Sequence, residues 1–463
     1  VIASPLLRKL KSIAGSENVF FDPADLTSYS YDSSSFSAFP QAVILPRDTE
    51  TISDLMRFAF NEGISVFVRG AGTGTTGASV PVQARPDSKG IVLSMTRMNA
   101  IRRIELQDMM AEVEPGVITG DLQKATSKVG LFYPPDPASL KVCTIGGNVA
   151  TGAGGARAVK YGVTRDYVIA IEAVLPSGDI IQTGARTAKG VVGYDLTRLL
   201  VGSEGTLALF SRIWLKLVPL PRDVGTVLCF FSSDEDAISA ISTIFSAGVL
   251  PRCAEFMDAL SLRCLVLANP GLSIPVGAGS AVLIEVDGTE EAVTTEIGTV
   301  MSEVKGVALQ VWHAVDSLEA DAMWRLRRGL SPAIKQLGFP DKISEDICVP
   351  RHNLAQVLKR IRAIADETAV TILSFGHAGD GNLHVNLLYD KNRKTDIERV
   401  EIAVGAVMRA SIELGGTISG EHGVGLSKKQ FVGWELSQEA ISIMKGIKKV
   451  FDPKGILNPG KVF

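Results

Sequence analysis

The chain has 463 residues, 46% of them hydrophobic, with a formal charge of −3 and a mean hydropathy of +0.22, which excludes a disordered or fibrous polymer. Its 47 Lys+Arg against 50 Asp+Glu argue against a nucleic-acid-binding stripe or a polybasic membrane surface, so a small molecule is the expected partner. The 45 Gly exceed the average of roughly 7% without a collagen period and are expected where backbone approaches a ligand.

At roughly 100 to 200 residues per domain the length allows two or three domains. The five cysteines, Cys143, Cys229, Cys253, Cys264 and Cys348, contain no C-x-x-C pair, which fits a reducing compartment and leaves no ligand set for a zinc ribbon or an iron–sulfur cluster. No apolar stretch reaches the roughly 20 residues that span a bilayer. The start Val-Ile-Ala-Ser-Pro-Leu-Leu does not read as a signal peptide, and a cytoplasmic location is expected.

From Pro40 to Pro221 the sequence reads as strands and tight turns: Ala42 to Leu45, Ser65 to Val68, Ile91 to Ser94, Met110 to Val113, Tyr167 to Leu175 and Thr206 to Leu217. Thr51 to Glu62 is the clearest helix there, with Ile52, Leu55, Met56 and Ala59 at helical spacing and Thr49 and Thr51 as candidate caps. Pro219-Leu220-Pro221-Arg222 reads as a boundary. Beyond it, helix (Asp234 to Ala247), strand (Ala281 to Val286), helix (Thr289 to Val304) and strand (Val307 to Trp312) suggest an α+β sheet with helices on one face. The stretch from Ile397 to Phe463 is mostly helical and ends in a turn-rich tail.

Three glycine blocks stand in the first zone. Val68-Arg-Gly-Ala-Gly-Thr-Gly-Thr-Thr-Gly77 contains Gly72-x-Gly74-x-x-Gly77 directly after a strand. It is not a Rossmann fingerprint, because Pro81 and Pro86 break the helix that such a fingerprint opens. The absence of a following Lys removes the P-loop reading, which leaves an anion-binding nest of Gly and Thr donors. The second block is Cys143-Thr-Ile-Gly-Gly-Asn-Val-Ala-Thr-Gly-Ala-Gly-Gly155 and the third Val201-Gly-Ser-Glu-Gly-Thr206. Two side-chain-poor, donor-rich stretches suit a long cofactor lying along the backbone.

These blocks, in this order, resemble the vanillyl-alcohol oxidase and p-cresol methylhydroxylase flavoprotein family. The resemblance implies FAD in an extended pose with its pyrophosphate on the Gly70 to Gly77 loop. It implies contacts from Arg69, Gly70, Ala71, Gly72, Thr73, Gly74, Thr76 and Gly77, from Pro135, Asp136, Ser139, Thr144, Ile145, Gly146, Asn148, Thr151 and Gly155, and from Glu204, Gly205, Ile213 and Asn458. Some relatives tether the flavin through His or Cys. All five histidines of this chain lie at or beyond His313, and the relatives that share Cys-Thr-Ile-Gly-Gly-Asn hold FAD non-covalently, so a non-covalent flavin is expected.

Four histidines come late. In Phe375-Gly-His377-Ala-Gly-Asp-Gly-Asn-Leu-His384-Val-Asn386-Leu a Gly-rich turn precedes a strand that puts His384 and Asn386 on one face and Leu383, Val385 and Leu387 on the other. Ser419-Gly-Glu421-His422-Gly sets a carboxylate and an imidazole between glycines. Two His and one carboxylate are a recognised set for zinc or ferrous iron.

The late blocks resemble those of FAD-dependent D-2-hydroxyacid dehydrogenases of the D-lactate dehydrogenase and glycolate oxidase type. This resemblance makes His377, His384 and Glu421 the ligands of a divalent metal, zinc or iron with manganese as an alternative. It makes His422 the catalytic base, Asn386 a substrate-orienting group and Arg327 the substrate-carboxylate site, with Ser331 nearby. Lys342 matches the hydroxyglutarate branch when counted from Arg327, but Glu345-Asp-Ile-Cys-Val-Pro-Arg resembles the lactate and glycolate branch, so a monocarboxylate is favoured.

The expected fold is α+β. Residues 1–220 form a two-part FAD-binding domain of the p-cresol methylhydroxylase type, residues 221–420 an α+β cap domain with an antiparallel sheet, and residues 421–463 a C-terminal helical segment returning to the flavin. The expected reaction is FAD-dependent oxidation of a D-2-hydroxy acid, foremost D-lactate to pyruvate, with glycolate and D-2-hydroxyglutarate as alternatives. The reduced flavin requires an acceptor: an electron-transferring flavoprotein, an iron–sulfur subunit or a quinone. A homodimer is allowed; nucleic acid and a transmembrane segment are not expected. A metal-dependent hydrolase and a non-catalytic flavin-binding electron carrier are the readings from other classes.

Overall fold

A computed structural model of the chain describes residues 4–82 and 90–463. Two compact units emerge: Val1–Gly154, Val163–Leu220 and Glu421–Phe463 make the first, Gly155–Gly162 and Pro221–Gly420 the second.

In the first unit, strands Ala42–Ile44, Gly90–Ser94 and Ser65–Arg69 pair in parallel, and Val19–Phe20 pairs antiparallel at the edge. Both faces are buried, as parallel sheets require. Ile52, Leu55, Met56 and Ala59 of helix Thr49–Glu62 join Ile44, Val66, Ile91 and Leu93 in one core, while Val43, Phe67 and Val92 pack on the other side with Leu26 and Leu45. The helix cap is Asp48 rather than Thr49 or Thr51. Asp48 is extended and its carboxylate accepts the Thr51 N–H at 2.7 Å, so the helix starts one residue after it. The chain end returns to this sheet, where Val66 N–H donates to Ile456 and Asn458 N–H donates to Val66.

A second sheet of the first unit is antiparallel, in the order Ile101–Glu105, Met110–Val113, Leu209–Lys216, Val168–Val174, Ile180–Gly184. The strand expected from Thr206 begins at Leu209, because Thr206 is held in a turn by its N–H and hydroxyl, both bonded to Ser203 O. The first glycine block has no helix among its described residues, as expected; Pro86 lies outside the described residues. The second block is not a loop throughout. Thr144 caps a short helix, Ile145–Thr151, by accepting the Gly147 N–H, and Gly152 ends it with φ +69°.

The second unit is built on a seven-stranded antiparallel sheet, ordered Gln310–His313, Asp223–Phe231, Ser280–Gly288, Cys253–Asp258, Thr371–His377, Asn382–Tyr389, Asp341–Cys348. The edge strand starts at Gln310 instead of Val307, whose N–H closes a turn on Val304. Helices cover both faces, not one as expected. On strand Asp223–Phe231, Leu228 and Phe230 share a core with Leu262 and Leu265 of helix Ala259–Ala268 and with Trp324 and Leu330 of helix Ser317–Ala333. Gly225, of opposite parity, abuts Ile297 and Val293 of helix Glu290–Val304. No helix among the described residues is long and apolar enough to cross a membrane.

Candidate active site

A pocket of about 330 Å³ opens in the first unit. Its wall includes Gly70, Ala71, Gly72, Thr73 and Gly74, which leave the end of strand Ser65–Arg69, then Ser139, then Thr144, Gly146, Asn148 and Thr151 at the capped helix, and Glu204 and Gly205. Glu421 and His422 also lie on this wall.

Several residues assigned to the cofactor are placed behind the wall or away from it. The buried Arg69 guanidinium reaches Ser28 O at 3.3 Å and Ser79 Oγ at 3.4 Å, and burial lowers its pKa. Thr76 O accepts the Leu426 N–H at 2.8 Å, and a Cβ on Gly77 would lie 2.8 Å from the Phe36 ring. Pro135 O accepts from Gln123 at 2.8 Å, and Asp136 is half-buried beside it. Ile145 and Ile213 are fully buried, the latter opposite Val113 and Ile171. Gly155 opens the short segment grouped with the second unit. Asn458, at φ +44°, donates to Glu204 O at 2.7 Å and to Ala78 O at 3.1 Å.

Glu204 does more than line the pocket. At φ +50° its carboxylate turns to accept the N–H groups of Val424 at 2.7 Å and Gly425 at 2.8 Å, which fixes the loop that follows His422. Burial raises its pKa, opposed by those two amides and by Lys428 and Lys461. Lys461 donates to Gly77 O and Val80 O, and burial brings its pKa down to about 8. Lys461 has no separate signal beyond its place in the closing Asn-Pro-Gly-Lys turn. Thr75, Cys143, Pro115 and Phe210 line the pocket too. Thr75 sits inside the first glycine block, whereas Pro115 and Phe210 belong to no motif.

The pocket suits an elongated anionic group. Gly70, Gly72, Gly74, Gly146 and Gly205 bring backbone to its wall, a Cβ on Gly74 would meet nothing closer than Asp32 at 4.0 Å, and the buried Thr75 hydroxyl on that wall has no hydrogen-bond partner among the described residues.

The second unit gathers another set on the sheet face that packs against Ser317–Ala333. Register sets Glu255 opposite His377 and Phe375 opposite His384. Glu255, 1% exposed, lies 2.6 Å from His377 Nδ1 through Oε1 and 2.6 Å from Arg327 Nη2 through Oε2. Against burial, which disfavours its charge, His377 and Arg327 hold the Glu255 carboxyl below its usual range. The Arg327 guanidinium lies 4.8 Å over the Phe375 ring, and the His377 and His384 rings meet edge to face at 5.1 Å. Asn386 is fully buried, and its Oδ1 has no partner among the described residues. Glu255 belongs to no motif; its signal is a charged residue sharing a strand face with Cys253 and Met257, both core positions.

Ser331 and Lys342 are exposed and bonded to each other at 2.9 Å. Of the three metal candidates, His377 and His384 belong to the second unit and Glu421 to the first.

Residues 220–462 match the family "FAD linked oxidases, C-terminal domain", and residues 40–184 match an FAD binding domain. The chain is 42% identical over its whole length, and over 97% of the relative, to glycolate oxidase subunit GlcD of Bacillus subtilis. It is 34% identical to a D-lactate dehydrogenase of Anaerostipes hadrus, over 92% of this chain and 90% of that one. Among solved structures, p-cresol methylhydroxylase with substrate bound superposes with a TM-score of 0.82 at 16% identity, over 99% of this chain and 96% of that one. The fold is therefore of the p-cresol methylhydroxylase type, as the glycine blocks led us to expect.

Proposed function

The chain belongs to the family of FAD-linked oxidases, and from that premise we propose that it oxidises a small D-2-hydroxy acid, with D-lactate as the first candidate and pyruvate as its product. It is an FAD-linked oxidoreductase of the glycolate oxidase and D-lactate dehydrogenase type. Glycolate is the second candidate, because the relative at 42% identity is a glycolate oxidase subunit; D-2-hydroxyglutarate is the third. The observation that carries the proposal is the glycine-walled pocket with His422 on its wall.

FAD, when bound non-covalently along that wall, supplies hydride acceptance at its flavin ring. Arg327 binds the substrate carboxylate through the guanidinium edge that Glu255 leaves unused, as a bidentate fork. The His422 imidazole takes the hydroxyl proton as the Cα hydrogen leaves with its electron pair, so the 2-hydroxy acid becomes a 2-keto acid. Asn386 offers its buried, unpartnered oxygen to orient the substrate.

His377, His384 and Glu421 would hold a zinc or iron ion, with manganese as an alternative, and that ion would supply Lewis acidity at the substrate hydroxyl. The donor set suits such an ion: His377 Nδ1 is tied to Glu255, which leaves Nε2 as the ligand nitrogen. Electrons leave to an electron-transferring flavoprotein, an iron–sulfur subunit or a quinone.

A monocarboxylate is favoured because Lys342, the residue that would meet a second carboxylate, is bonded to Ser331 at an exposed position. The test is anaerobic bleaching of the yellow protein by D-lactate, glycolate and D-2-hydroxyglutarate, with both enantiomers of each chiral acid. D-lactate should bleach the flavin, and His422→Ala should keep FAD yet lose bleaching. A colourless protein with esterase activity, or a flavin that no hydroxy acid bleaches, would sink the reading.

A further inference from the structure

We propose that Glu255 is a positioning residue that sets, with one buried carboxylate, both the aim of Arg327 and the ring tautomer of His377. The inference rests on the reading that Arg327 receives the substrate carboxylate, and it adds what makes that arginine and that histidine a single device.

The arrangement follows from the strands. Cys253–Asp258 and Thr371–His377 run antiparallel in a register that faces Glu255 with His377, so both side chains leave the same side of the sheet. Arg327 arrives from helix Ser317–Ala333, which packs on that side. Each carboxylate oxygen takes one partner, His377 Nδ1 at 2.6 Å and Arg327 Nη2 at 2.6 Å.

Two consequences are chemical. A carboxylate only accepts, so His377 carries a proton on Nδ1, and whenever the ring is neutral its lone pair is on Nε2. At Arg327, Nη2 is committed while Nε is buried without a partner among the described residues. The Phe375 ring, 4.8 Å from the guanidinium, adds a cation–π contact that restrains it. The unused edge is thus aimed before substrate arrives, and the cost of ordering a long side chain does not fall on binding. Glu285, a buried carboxylate of the neighbouring strand, cannot serve instead, since it is engaged with Trp324 Nε1 at 2.6 Å and Arg252 at 3.1 Å.

The experiment uses the holoprotein labelled with 15N-histidine at pH 8. The chain has five histidines, so single His→Gln substitutions assign the signals. His377 should show Nδ1 protonated in the wild type. Glu255→Gln, whose amide can donate to Nδ1, should move that proton to Nε2 and raise KM for the hydroxy acid by about 10- to 100-fold, with flavin content unchanged. Glu255→Asp should keep the wild-type tautomer and recover part of the KM. A wild-type His377 protonated on Nε2, or a Glu255→Gln protein with wild-type tautomer and KM, would overturn the proposal. Should Glu255→Gln fail to fold, the wild-type spectrum decides alone. If no hydroxy acid bleaches the flavin, the functional reading falls while the tautomer still reports on Glu255.

Discussion

Glu204 and Val424 are 220 residues apart, yet the Glu204 carboxylate accepts the Val424 backbone N–H at 2.7 Å. The same carboxylate takes the next amide, Gly425, at 2.8 Å. One acidic side chain thereby holds the loop that begins at His422. Glu204→Ala leaves both amides without an acceptor, at a cost of about 1–3 kcal/mol for each. Urea unfolding should show a loss of about 2–6 kcal/mol, and substrate-driven bleaching should slow at least about tenfold as His422 loses its fixed position. Unchanged unfolding with unchanged bleaching would show that the loop needs no such tie.

Asp234 gives stability a dependence on pH. It sits in the first turn of helix Asp234–Ser246, and burial pushes its carboxyl up to about 7, against the pull of Arg362, with Asp258 and Glu235 adding to the rise. An acid with a raised pKa binds a proton in the folded chain that the unfolded chain has already released. Its contribution is therefore present in full below about pH 4 and is lost as pH rises through about 7. The slope is at most about 1.4 kcal/mol per pH unit. Thermal melts of wild type and Asp234→Asn at pH 5 and pH 8 should show the variant gaining on the wild type at the higher pH. Parallel behaviour would contradict the shift.

Gly146 tests the pocket wall. A Cβ there would sit 2.6 Å from the Pro115 ring and 2.9 Å from Pro115 O, and Pro115 is itself part of the wall. Gly146→Ala must displace one of them. The purified variant should therefore carry less FAD, read from the ratio of flavin to protein absorbance. A Gly74→Ala control, with no atom closer than 4.0 Å to its Cβ, would leave the protein framework unstrained. Any flavin lost from that variant reports contact with the cofactor itself.

Much of this was legible in the sequence because it was local. Strand Met110–Val113 and helix Asp234–Ser246 fall where the sequence puts them, the helix ending one residue before the expected Ala247. The glycine blocks were legible because no side chain can replace backbone at such close approach, as Gly146 illustrates. What stayed hidden was relational. Asp48 outcompetes Thr49 as a cap only once the helix start is known. The second face of the large sheet is covered because strand Asp223–Phe231 carries buried apolar residues on both sides, as with Cys229 beside Phe230. Glu255 reads as an ordinary strand residue until the register brings it to His377 and the helix brings Arg327.

Arg327 and Lys342 separate the candidate substrates. A lysine at position 327 could meet Glu255 or the substrate carboxylate, but as a point charge it could not do both and could not form a planar fork. Arg327→Lys should raise KM for D-lactate by about 100-fold, near 2.7 kcal/mol, while FAD content stays constant because the pocket proposed for FAD is lined by residues of the first unit and not by Arg327. Lys342→Met removes a charge bonded to Ser331 at the surface. For a monocarboxylate, steady-state kinetics should show less than about a fivefold change, since an exposed charge of this kind contributes about 0–1 kcal/mol at most. A large KM increase for D-2-hydroxyglutarate in Lys342→Met, with D-lactate a poor substrate of the wild type, would instead give Lys342 the second carboxylate and shift the assignment to the dicarboxylate.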